Sequence, residues 1–259
     1  MEHLPPHALG KLPPRHDPRT LQLAHYLGAA LPEAPTRVSW VSQIPTWPML
    51  ANDRVGCCAF ASAGHLIHVW THNADGSRRA AVLHDDDILT AYSGATGYDP
   101  RHPETDRGTV MLDALRYWQK TGIGHHKIAA YAAIEPLNKT HVRLALAHLG
   151  GLHIGLALPL SAQGQRVWSV PSGASHDPRT RPNSWGGHAA TVVGFDPLGL
   201  TIVTWGALQR MTWQFWETFC DEAYVAISDD WLADAGKTPS GLDLAGLRAD
   251  LVTLRKGRP

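Results

Sequence analysis

The stretch "NDRVGCC", Asn52 to Cys58, puts two adjacent thiols behind a glycine and in front of "AFASAGHLIHVW". Phe60, Ala63, Ile67 and Trp70 recur at helical spacing, so a helix with one buried face begins at about Cys57 or Cys58, and Asn73 to Gly76 stops it. A free thiol has a pKa of about 8.5 and is a poor nucleophile at neutral pH, but the positive end of a helix dipole and a nearby imidazolium both lower that value. A cysteine at a helix start therefore needs a histidine from elsewhere in the chain. His65 lies two turns along the same helix, roughly 10 Å away at about 1.5 Å per residue, which excludes it as the base. His188 in "GGHAATVVGFD" opens an apolar strand after two glycines that leave its ring approachable, and a buried strand holds such a ring firmly. Cys57 competes with Cys58 as the nucleophile, because a shift of one residue exchanges them.

The elements that must position these groups change character along the chain. Met1 to Arg15 is rich in proline and histidine and reads as a surface segment, and "DPRTLQLAHYLGAAL" reads as a short helix from Asp17 with Pro18 at its first position. Pro35 to Leu50 reads as extended. Further helices are expected at "DDDILTAYSG", at "TVMLDALRYWQKTG" with Gly122 closing it, and at "NKTHVRLALAHLGG" with Thr140 as its cap. Beyond Gly151 the runs "LHIGLALPL", "HAATVVGFD", "LTIVTWG" and "EAYVAIS" are short, β-rich and bounded by Gly, Pro and Asp. Helices first and strands later indicate an α+β protein. Residues 161–187 form a long loop-like stretch, and loops of that length are often functional.

Composition removes several classes. Lys and Arg number 23 against 23 Asp and Glu, which does not favour nucleic acid as a partner. The longest apolar runs fall far short of the roughly 18 residues of a membrane span, and the start lacks the pattern of a secretory signal, so a cytoplasmic protein is expected. Three cysteines make no disulfide framework, and a vicinal bridge between Cys57 and Cys58 would strain its peptide, which fits a reducing compartment. Adjacent cysteines also lack the two-to-four-residue spacing of zinc ligands. "HDDD" at His84 to Asp87 reads as a polar helix entry. His65 with His68 reads as part of the helix, and Cys220 as structural. No metal and no cofactor are expected.

The order and spacing of these residues resemble the papain-like cysteine peptidases. "VSW" at Val38 to Trp40 stands at matching distance before "NDRVGCC", "GGHAATVVGFD" is similar to that family's catalytic histidine strand, and "LTIVTWG" to the strand that follows it. The resemblance covers about residues 35–228 and extends to the peptidase-like proteins of this superfamily found in phages and prophages. It implies a two-lobed fold, with an N-terminal extension over 1–34 and a peptidase domain over 35–259. Within that domain it implies a helical part at about 52–150, a β-rich part at about 151–230 and a tail from about 231. It further implies Cys58 as nucleophile, His188 as base, Asn52 as oxyanion donor and Trp205 as the shield of the histidine. The substrate it implies is a peptide or protein, cleaved at a peptide or other amide bond.

Three departures qualify that picture. The asparagine that orients the family's imidazole falls on Val203, which has no hydrogen-bonding side chain, and Thr204 serves only if the register slips. "NSWG" does occur, at Asn183 to Gly186, but before His188, so Asn183 could orient the ring only if the long loop brings it there. Some fifty residues precede Cys58, too few for a large inhibitory prosegment, so regulation by that device is not expected. Without an orienter the same fold could be a peptide-binding module that does not cut, and a transferase or deamidase would use the same Cys-His chemistry.

Overall fold

The computed structural model describes residues 7–25, 33–74, 80–173, 176–231 and 249. Among these are five α-helices and nine strands. The strands are β1 (Leu21–Gln22), β2 (Val38–Ser39), β3 (Ile128–Ile134), β4 (Leu152–Leu158), β5 (Val167–Trp168), β6 (Gly186–Asp196), β7 (Gly199–Thr204), β8 (Ala207–Thr212) and β9 (Cys220–Ser228). The helices are α1 (Cys58–Asn73), α2 (Asp85–Thr96), α3 (Met111–Lys120), α4 (Lys139–Leu149) and α5 (Trp213–Phe219). No helix among the described residues is long and apolar enough to cross a membrane.

One sheet in the order β1-β3-β9-β4-β6-β7-β8-β5 forms the backbone of the molecule, with β2 paired to β6. The expected α+β class holds. Helix α1 packs on β6, with α2 and α3 stacked beside it. Its core is aromatic: Trp70 stacks on Trp118 with centroids 5.6 Å apart and donates its indole N–H to Leu149 O at 3.2 Å, which satisfies the polar end of a buried ring. Because α1 is apolar nearly all round, it is buried nearly all round.

Several local expectations are corrected. No helix starts at Asp17. Its carboxylate accepts from the backbone N–H and guanidinium of Arg19 and pairs with Arg116, while Leu21 and Gln22 join the sheet against Ala132 and Ala133. Sheet pairing thus overrides local helix propensity. The rest of that stretch, residues 26–31, and nearly all of the C-terminal tail lie outside the described residues. Helix α4 is capped by Asn138, whose side chain accepts from His141 N–H, and not by Thr140. Strand β3 sits within the half read as helical: its alternation of buried Ile128, Ala130, Ala132 and Ile134 with half-buried partners is a strand period.

Candidate active site

Helix α1 begins at Cys58, and Cys57 precedes it as the N-cap without a side-chain cap bond. The first amides of a helix have no partner within it, so a group placed there meets unsatisfied N–H donors and the positive dipole end. The two thiols of the vicinal pair diverge. Cys57 Sγ is turned to Leu50 O at 3.5 Å, in the core. The Cys58 sulfur instead meets the backbone amides of Ala189, Gly10 and Ala59, which favour its thiolate form. Ala189 follows His188 directly, so the amide that acts on the Cys58 thiol is the one next to the imidazole in sequence.

His188 lies near the start of β6, opposite Leu156 of β4. Its Nε2 is 2.6 Å from Thr204 Oγ1, at the end of β7, and its Nδ1 is buried with no hydrogen-bond partner. Trp205 stacks on the ring, centroids 4.0 Å apart and planes within 16°. It takes a positive φ of 45° to do so, followed by Gly206 at φ 69°. Val203, where the resemblance places an orienting asparagine, is wholly buried and paired with Thr191 and Leu208. Asn183 is exposed, with its backbone N–H on Ala157 O, and the imidazole takes Thr204 instead.

Asn52, buried in the turn before α1, donates from Nδ2 to Val55 O at 3.1 Å and to Ala8 O at 3.3 Å. The second contact reveals what the sequence did not announce. Residues 8–12 run as a strap past the N-terminal end of α1, along a groove flanked by Thr109 and by the start of β6. Gly10 O accepts from Thr109 N–H at 2.7 Å, Leu12 N–H donates to Thr109 O at 3.0 Å, and Lys11 N–H donates to Gly187 O at 3.1 Å. Trp205 Nε1 donates to Ala8 O at 3.1 Å, and the His7 ring packs on the outer face of Trp205 at 4.3 Å. The fit is close: a Cβ on Gly10 would lie 1.9 Å from Gly56 O, and one on Gly187 2.1 Å from Lys11 O. Only glycine allows main chain to approach main chain so closely.

Enclosure sets the charges. Burial raises the Cys58 thiol to about 11, against the pull of the three amides and of Lys11. Burial also lowers His188 to about 3. Both groups are therefore neutral at pH 7, as expected for ionisable groups removed from water. From the strap it is the Gly10 backbone N–H that acts on the Cys58 thiol, favouring its thiolate form.

Other polar groups singled out in the sequence have local partners. His65 Nε2 is 2.8 Å from Pro48 O, and His68 bonds to the carbonyls of Ala81 and Thr46. At the entry of α2 the His84 N–H donates to Asp87, and Cys220 Sγ contacts Glu222 O at 3.5 Å. No group of three or more potential metal ligands occurs among the described residues.

At the level of sequence, no family model and no curated protein matches the chain. Solved structures do. Xylellain, a cysteine protease from Xylella fastidiosa, superposes with a TM-score of 0.64 at 15% identity, over 87% of this chain and 98% of that one. The digestive procathepsin L 3 of the Tenebrio molitor larval midgut gives 0.55 at 14%, over 86% and 75%. Procathepsin B S9 from Trypanosoma congolense gives 0.53 at 12%, over 86% and 87%. With a thiol at the start of α1 and an imidazole on β6, the strand against which that helix packs, these likenesses establish that the chain has the fold of the papain-like cysteine proteases.

Proposed function

We propose that this protein is a cysteine-type peptidase or amidohydrolase acting on peptide or protein substrates, with Cys58 as nucleophile and His188 as base, held latent by its own residues 8–12. The observation that carries the reading is the His188 ring. One nitrogen is fixed by Thr204, while the other is bare, buried and on the residue next to the amide that meets the Cys58 sulfur. A ring with one nitrogen donating to an orienting group and a free lone pair on the other is the geometry of a general base.

The reaction requires the strap to leave. Water and substrate then enter, the burial that holds both groups neutral is relieved, and the Cys58 proton passes to His188 Nδ1. The thiolate forms a C–S bond to the substrate carbonyl carbon as the carbonyl electron pair moves to oxygen. Asn52 Nδ2, which now holds Ala8 O, and the Cys58 backbone N–H hold that oxyanion. Its collapse breaks the C–N bond, and the leaving amine takes the proton from His188. A water deprotonated by His188 then hydrolyses the thioester and restores the thiol. Thr204 keeps the ring in its tautomer, and Trp205 screens its face from water. The three free cysteines accord with a reducing, cytoplasmic setting.

The test is turnover of a fluorogenic peptide amide by chains carrying Gly10→Val, which cannot seat the strap. Cys58→Ala in that background abolishes turnover, and Cys57→Ala retains it. The opposite pattern overturns the assignment, and absence of turnover in Gly10→Val itself, with Cys58 freely alkylated, identifies a binding module instead of an enzyme.

A further inference from the structure

The strap does more than cover the groove, because one of its side chains has a destination. Lys11 extends from the main chain beside Gly187 into a recess of the sheet, where Nζ is 2.8 Å from Asp221 Oδ2 and 3.2 Å from Glu222 Oε1. Its side chain is only 1% exposed, a rare state for lysine unless it is paired. Glu222 is itself buried. Its Oε2 accepts from the Tyr224 hydroxyl at 2.8 Å, and its Oε1 has no hydrogen-bond partner, so the Lys11 ammonium is its countercharge. Gly155 of β4, opposite Glu222 of β9, supplies the floor: a Cβ there would fall 2.1 Å from Lys11 Cε and 2.6 Å from Glu222 Cγ. The recess thus exists because position 155 carries no side chain, and it is sized for the end of a long one.

We propose that this recess, formed by Asp221, Glu222 and Gly155, is a substrate subsite that takes the lysine or arginine side chain of a bound peptide, and that Lys11 is its occupant in the latent chain. The assignment rests on the peptidase reading for what happens to the peptide, but not for what the recess binds. When the strap departs, two adjacent carboxylates lose their countercharge. An uncompensated buried carboxylate is costly, so the vacated recess favours a cation over an apolar side chain and repels an acidic one. Asp221 and Glu222 together offer more acceptor positions than one ammonium fills, and the five donors of a guanidinium suit them at least as well. The recess opens beside Gly187, one residue from His188, so the side chain it holds belongs to a residue near the bond to be cut.

The experiment uses the full chain with Lys11→Glu, which expels the strap side chain by like-charge repulsion, and in parallel with Lys11→Met, which removes the charge at similar length. Each is given N-blocked tripeptide coumarylamides carrying lysine, norleucine or glutamate at each position in turn. At one position lysine exceeds norleucine at least tenfold in kcat/KM, and glutamate is the poorest. Adding Glu222→Gln with Asp221→Asn brings the lysine-to-norleucine ratio below about threefold. A parallel arm adds Cys58→Ser and measures binding of the same peptides, dye-labelled, by fluorescence polarisation. Lysine-dependent binding abolished by the carboxylate variants, without cleavage in any chain, sustains the subsite and removes the peptidase. Equal binding of lysine and norleucine peptides, or a lysine preference untouched by Glu222→Gln and Asp221→Asn, overturns the subsite whether or not cleavage occurs.

Discussion

Thr204 Oγ1 stands 2.6 Å from His188 Nε2, at the point where β7 ends and the chain turns to lay Trp205 on the same imidazole. One short segment therefore sets both the tautomer and the tilt of the ring. Thr204→Val keeps the volume and removes the hydroxyl, leaving a buried ring nitrogen unpaired at a cost of about 1–3 kcal/mol in stability. In a strap-released chain, turnover falls by about 100-fold, the scale of a misplaced catalytic group. Thr204→Ser restores most of it. Equal kinetics for Val and Ser at this position would remove Thr204 from the machinery.

Gly10→Val tests the strap as a lock. Its side chain has no room against Gly56 O, so the segment cannot seat. In the parent chain Cys58, raised to about 11 by burial, stays a neutral thiol across the physiological range. Iodoacetamide then labels it slowly at pH 7 and faster as the pH climbs toward that value. In Gly10→Val the profile moves to lower pH, because solvent reaches both sulfur and imidazole. Mass spectrometry of the peptide holding Cys57 and Cys58 reads the site, and identical profiles for the two chains would show that the strap does not control the thiol.

Asn52→Ala has two effects of opposite sign. It removes a bond that ties down Ala8, so alkylation of Cys58 accelerates. It also removes the proposed oxyanion donor, worth on the order of 100- to 1,000-fold in kcat. Faster labelling with slower turnover is the expected signature, and a rise in both would leave Asn52 as a strap anchor alone.

Acid destabilises this fold for a reason visible in its core. His65 is lowered to about 4 and His153 and His188 to about 3, each with burial as the largest cause. A depressed histidine is neutral in the folded chain where the unfolded chain already carries the proton, so stability is lost as pH falls below about 6.5 toward those values. Each such histidine contributes a slope of about 1 kcal/mol per pH unit in that window. His153 Nδ1 is held by Ser62 Oγ at 2.7 Å. His153→Gln, with its amide on that hydroxyl, should flatten the decline in melting temperature between pH 6.5 and 4, and an unchanged slope would clear this residue.

The parts of this structure legible in the sequence share a physical property: a long apolar period. Helix α1, placed by Phe60, Ala63, Ile67 and Trp70, and strands β4, β6, β7 and β9, placed by runs of valine, isoleucine and leucine, bury side chains that announce themselves. What stayed hidden depends on main chain or on register. Thr204 and Val203 are adjacent on one strand and face opposite sides, so a one-residue choice decides which meets the imidazole. The β6-β7 ladder contains an irregularity at Val192 to Gly194 that no local pattern marks. The strap binds through the amides and carbonyls of Ala8, Gly10, Lys11 and Leu12, groups every residue has. Its two informative letters, Gly10 and Lys11, gain meaning only beside Gly56 and the Asp221-Glu222 pair, about 45 and 210 positions away.

That strap is bonded to Thr109 on one flank of the groove and to Gly187 on the other, which makes it a stitch across the seam as well as a cover. If the proposed release of the strap begins the work, it also cuts the stitch, and the strap-seated protein is then expected to tolerate heat and agitation better than the released one. Endurance would belong to the stored form, and activity would come with a shorter lifetime.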